Sequence, residues 1–82
     1  MPYNRKAFGI VVSTLRVQKG LTQESLSGLA GIARSHLAAQ ENGEKTAKMD
    51  TFWRIADALE ISPSELVSKI ENENMKEEVT RE

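Results

Sequence analysis

Residues 21–42, LTQESLSGLAGIARSHLAAQEN, decide the fold. The stretch reads as a short helix, a sharp turn and a second short helix. Thr22 is a capping hydroxyl ahead of Gln23, Glu24 and Ser25, and Gly20 stops whatever precedes it. Leu26, Leu29 and Ala30 recur at the three-and-four spacing that places side chains on one helical face. Gly31 falls where a helix C-terminus calls for a left-handed residue, a conformation that glycine adopts without steric cost. Ile32 follows as a lone apolar plug. The second helix starts near Ala33 or Arg34, with Leu37 as its buried knob.

Two helices joined by a turn of about four residues containing glycine form the helix-turn-helix pattern, whose second helix lies in the DNA major groove. Before it, residues 4–19 are helical in pattern, with Asn4 as a cap and Phe8, Val11, Val12 and Leu15 striping one face. Gly9 costs about 1 kcal/mol against alanine in a helix interior, so it marks close packing. Met1 to Asn4 read as a loose arm. After Asn42-Gly43, the polar run Glu44-Lys45-Thr46-Ala47-Lys48 breaks the periodicity. A fourth helix over residues 49–60 carries Phe52, Ile55, Ala56 and Leu59, with Trp53 one position off that stripe. Ser62-Pro63-Ser64-Glu65 opens a fifth, which carries Leu66, Val67 and Ile70 to about Asn72. Residues 73–82, ENMKEEVTRE, are charged and poor in apolar residues, and are expected to fray as a disordered tail. The fold class is all-α: five helices around one core in residues 1–72.

At 82 residues the chain is one small domain whose core is marginal by itself, so oligomerisation is expected to bury more apolar surface. It has no cysteine, which excludes disulfides, thiolate metal sites and cysteine nucleophiles. No apolar run approaches a membrane span, and a cytoplasmic location is expected. The net charge is −1, but it is unevenly spread. Residues 1–70 hold nine Lys and Arg against seven Asp and Glu, and residues 71–82 hold two against five. That distribution permits a nucleic-acid partner.

The run KGLTQESLSGLAGIARSHLAAQENG resembles the DNA-binding segment of the lambda-repressor-like, or xenobiotic-response-element (XRE), family of regulators. The matching residues are Lys19 to Glu24, Leu26, Gly31-Ile32, Leu37 and Glu41-Asn42-Gly43. Ile55 to Ser62 and Glu65-Leu66 resemble the family's last two helices. The likeness covers roughly residues 5–70 in the family's order. It implies a sequence-specific transcriptional regulator that binds double-stranded DNA in the major groove as a homodimer on a pseudo-palindromic operator. No enzyme activity, cofactor, metal or small-molecule ligand is expected.

With Leu37 facing the core, the base-reading candidates are Arg34, Ser35, His36, Ala38 and Ala39. Arg34 is the strongest, because a guanidinium makes two parallel hydrogen bonds to guanine, worth roughly 1–3 kcal/mol of discrimination. Alanines at 38 and 39 imply few direct base contacts and a larger share for DNA shape. The resemblance assigns phosphate contacts to Gln23 at the start of the second helix, and to Asn42, Lys45, Thr46 and Lys48 after the third. It also pairs Glu41 with Arg16. Gln40 departs from the family by being polar where an apolar residue is usual. Lys48 departs by replacing a common Ser or Thr cap, with Thr46 as the alternative cap. Trp53, Leu59, Leu66, Val67 and Ile70 form the candidate dimer surface; the alternative is that the stripe only completes the monomer core, and the two readings can hold for different residues.

With little beyond the motif domain, the chain resembles restriction–modification controller proteins more than small phage repressors or antitoxins. The competing reading is a protein-interaction adaptor or antitoxin-type module that keeps the fold without DNA binding. The two alanines and the low net charge favour that reading, while Arg34, Gln23, Asn42 and Lys45 oppose it. An enzyme is not supported: His36 is the one histidine, and no nucleophile–base–acid set can be built around it.

Overall fold

The computed structural model describes residues 3–80; Met1, Pro2, Arg81 and Glu82 lie outside the described residues. Five helices follow in order: α1 (Arg5–Gln18), α2 (Gln23–Ala30), α3 (Arg34–Glu41), α4 (Met49–Ala58) and α5 (Pro63–Thr80). The described residues contain no strand. This is the all-α, lambda-repressor-like arrangement.

Local chemistry fixes the helix ends. Asn4 caps α1, its Oδ1 accepting the Lys6 N–H at 2.9 Å, and Thr22 caps α2 through the Ser25 N–H at 3.0 Å. Ser62 caps α5, accepting the Glu65 N–H at 3.1 Å ahead of a first-turn proline. Gly31 closes α2 with φ 70°, and the Ile32 N–H then reaches back to the Ser27 carbonyl at 3.0 Å. α3 and α4 start without a side-chain cap. Thr46 does not supply the α4 cap; its hydroxyl lies 2.9 Å from Tyr3 Oη instead.

The core is built by apolar residues of all five helices: Phe8, Val11 and Val12 of α1, Leu26 and Ala30 of α2, Leu37 of α3, Ile55 and Ala56 of α4 with Leu59 at its end, and Leu66 and Ile70 of α5. Phe8 and Phe52 stack with ring centroids 6.0 Å apart. α1 packs on α3 and α5, and α2 on α3 and α4. Leu37, fully buried, anchors α3 to this core and contributes about 1.5–3 kcal/mol by burial.

Three expectations change. Leu29 is 65% exposed rather than on the buried face of α2, because only Leu26, Ser27 and Ala30 meet the core. Of the arm expected over Met1 to Asn4, Tyr3 and Asn4 are tied down, Tyr3 to Thr46 and the Asn4 N–H to Asn74 Oδ1 at 3.2 Å, while Met1 and Pro2 lie outside the described residues. α5 does not stop at Asn72 but continues to Thr80, with Asn74 buried against the start of α1.

Candidate nucleic-acid interface

α3 presents two different sides. Leu37, Gln40 and Glu41 face inward, at the three-and-four spacing of one helical face. Ser35 and Ala39 stand two positions either side of Leu37, roughly opposite its side chain at about 3.6 residues per turn. Arg34 and Ser35 are exposed, and His36, Ala38 and Ala39 are half-buried. The five base-reading candidates therefore lie on one helix, clear of its fully buried positions. Arg34 shares a shallow hollow with Arg16, Leu21, Thr22, Gln23 and Glu24 at the start of α2. It thus stands where the two motif helices meet.

The angle of α3 is held from behind by a charged cluster. Arg16 Nε and Nη2 donate to the two carboxylate oxygens of Glu41 at 2.7 and 3.0 Å, and Nη1 donates to the Leu21 carbonyl at 2.8 Å. This fork-to-fork pair is the one the resemblance implies. The arginine side chain is 15% exposed and the glutamate 4%. The hydrogen bond to Glu41 raises the Arg16 pKa, outweighing the lowering by burial. Gln23 joins the cluster, its Nε2 donating to Glu41 Oε1 at 2.9 Å. One of its two side-chain N–H groups is therefore used inside the fold, and the other remains available beside the backbone N–H at the first turn of α2. Gly9 lets α1 approach: a Cβ there would lie 2.6 Å from the Gln40 carbonyl oxygen.

Beyond α3, Asn42, Lys45, Thr46 and Lys48 are all exposed, on the segment that leaves its C-terminal end. The Glu44 N–H bonds the Ala39 carbonyl at 2.9 Å, which fastens this segment to the helix. The sequence reading missed what lies behind it. Arg5 Nη1 donates to the Glu44 carbonyl at 3.3 Å, and Gly43 packs directly on the Lys6 backbone. In the sequence, the one signal of these contacts is the basic Arg5-Lys6 pair at the start of α1.

The candidate dimer surface divides. Leu59, Leu66 and Ile70 are buried in the monomer core. Trp53 and Val67 remain, at 57% and 51% exposed, with Met49 also exposed on α4. Among the described residues no group of His, Cys, Asp or Glu is placed to hold a metal ion. No described helix is long and apolar enough to cross a membrane.

Comparison with known proteins agrees with this geometry. The HTH_3 helix-turn-helix family matches residues 12–66. The uncharacterized HTH-type transcriptional regulator y4dJ of Sinorhizobium fredii is 36% identical over 64 residues, which span 78% of this chain and 83% of that protein. The restriction-modification controller protein C.AhdI from Aeromonas hydrophila superposes with a TM-score of 0.73 at 37% identity, covering 76% of this chain and 94% of that one. The controller protein C.Esp1396I superposes at 0.81 over 93% of this chain and 99% of its own, and at 21% identity it bears on the fold. The chain belongs to the HTH_3 family of helix-turn-helix proteins, of the XRE type. It is a DNA-binding transcriptional regulator.

Proposed function

We propose that the chain acts as a homodimer on a pseudo-palindromic operator, each α3 entering the major groove at one half-site, as a cytoplasmic regulator of the restriction–modification controller type. The observation that carries this reading is the outward side of α3. Arg34 and Ser35 are exposed on a helix whose inward side is locked by Leu37 and the Arg16–Glu41 pair. Arg34 reads guanine, Ser35 takes a base or phosphate, His36 donates to a phosphate, and Ala38 and Ala39 let the helix sit close to the bases. Asn42, Lys45, Thr46 and Lys48 hold phosphates beyond one end of α3, and the Gln23 amide holds one at the other. The controller assignment is supported by the likeness to C.AhdI, nearly all of whose length is matched.

A single module of this size buries little DNA surface, so two copies give the affinity that one lacks. Trp53, Val67 and Met49 supply the exposed apolar surface for pairing. The test is selection from a randomised DNA pool with wild type and Arg34→Ala at two salt concentrations. A two-fold-symmetric site, with preference relaxed at one base pair per half-site in the variant, is the expected result. Recovery of no enriched site would sink this reading and favour a protein-binding adaptor.

A further inference from the structure

The start of α1 and the segment after α3 meet at one end of the recognition helix. The hydroxyls of Tyr3 and Thr46 are 2.9 Å apart. Arg5 donates to the Glu44 carbonyl, and a Cβ on Gly43 would lie 3.3 Å from Lys6 Cα. These contacts gather four exposed cations, Arg5, Lys6, Lys45 and Lys48, from parts of the chain some forty residues apart. Among the described residues the ion pairs are Arg16–Glu41, Lys19–Glu60 and Arg54–Asp50, and none uses any of the four. The first turn of α1 holds no acid, and Glu44 is the one carboxylate within either segment.

In a chain of net charge −1, four exposed cations outside these ion pairs are gathered at one place, beside the turn of α5 that carries Glu73, Asn74 and Glu77. We propose that Tyr3, Arg5 and Lys6 join Lys45, Thr46 and Lys48 in a second phosphate clamp, which holds the DNA backbone beside each half-site. The proposal rests on the reading that α3 lies in the major groove. Of the two paired hydroxyls one donates to the other, and the accepting one keeps its proton for a phosphate oxygen. Arg5 spends one N–H on Glu44 and retains the rest of its fork. Such contacts position the protein and carry no sequence information.

The test uses the site enriched from the randomised pool. Its affinity is measured across a salt series for wild type, Arg5→Gln/Lys6→Gln, Tyr3→Phe and, as a control away from the patch, Arg54→Gln. Each lost ionic phosphate contact lowers the slope of log K against log salt by about 0.9. In a dimer the Arg5/Lys6 double variant therefore lowers it by roughly 3–4, with unchanged base preference. Tyr3→Phe weakens binding uniformly across sites with little change of slope, and Arg54→Gln leaves the slope alone. Circular dichroism confirms that each variant keeps its helices. If the site is enriched and Arg34→Ala relaxes it, yet the double variant keeps the wild-type slope, the clamp is wrong and the regulator reading stands. An equal drop for Arg54→Gln overturns the clamp in favour of a diffuse charge effect. A wild type that enriches no site removes the regulator reading and the clamp together.

Discussion

Gly9 of α1 and Glu41 of α3 touch through their backbones, so closely that a Cβ on Gly9 would stand 2.5 Å from the Glu41 carbonyl oxygen. The obstacle is main chain and cannot rotate away. Gly9→Ala should therefore push α1 and α3 apart, at a cost of about 1–3 kcal/mol that exceeds the helix-propensity gain of roughly 1 kcal/mol. Thermal unfolding should fall by several degrees, at about 4–8 °C per kcal/mol for a domain of this size. Operator affinity should fall with it, because α3 changes its stance. A Gly9→Ala protein as stable as wild type would mean that the two helices are not in this contact.

The same helix pair is joined by Arg16 and Glu41, and here the two side chains act as a unit. Removing either leaves the other largely out of water and short of its partner. Each single alanine variant should cost about 2–3 kcal/mol, below the full buried-pair figure because Arg16 keeps some exposure. Arg16→Lys should recover little, since an ammonium cannot match both carboxylate oxygens. A double-mutant cycle in urea should return a coupling of roughly 1–3 kcal/mol. Additive singles would show that the pair is incidental. Because the Arg16 pKa is raised, its stabilisation is complete below the unfolded-state value and is lost only as pH rises through the folded one. That window lies far into alkali, so Arg16 should add no pH dependence near neutrality.

Asn74 ties the far part of α5 to the start of α1, its Oδ1 accepting the Asn4 N–H across 70 positions of sequence. Ending the chain after Asn72 should therefore lower stability, where a frayed tail would be lost without effect. Asn74→Ala should reproduce part of that loss, about 1 kcal/mol or somewhat more for a buried hydrogen bond. Equal melting temperatures for full-length and shortened chains would return residues 73–80 to the status of an appendage.

Much of this molecule was legible because the informative signals are local. Thr22 and Gly31 mark the ends of α2 by capping and by a left-handed φ, and both lie within a few residues of what they control. What could not be read was set by distant packing. A stripe such as Leu59, Leu66 and Ile70 has the same period whether it faces its own core or a second chain, and here all three are buried in the monomer. Leu29 keeps helical spacing with Leu26 but looks into an open hollow beside Arg54, Asp57 and Ala58. The length of α5 turns on a polar residue, Asn74, whose burial no hydrophobic pattern announces. Arg5 and Lys6 carry no local sign of the Glu44 carbonyl and Gly43, some forty residues away, that meet them.

Gln40, polar where the family usually has an apolar residue, is wholly buried. Neither its Nε2 nor its Oε1 has a hydrogen-bond partner in the protein. An amide removed from water without compensation costs about 1–3 kcal/mol, whereas leucine fills a similar volume with nothing to satisfy. Gln40→Leu should therefore raise stability by about 1–2 kcal/mol, read as a higher urea midpoint at unchanged m-value. Gln40 lies on the inward side of α3 with Leu37, so base preference at the operator should not move. A leucine variant that is neutral or weaker would show that the amide is satisfied by an ordered water. A stabilised variant with altered base preference would point elsewhere: the unsatisfied amide sets the angle at which α3 meets DNA, and stability has been given up to hold it there.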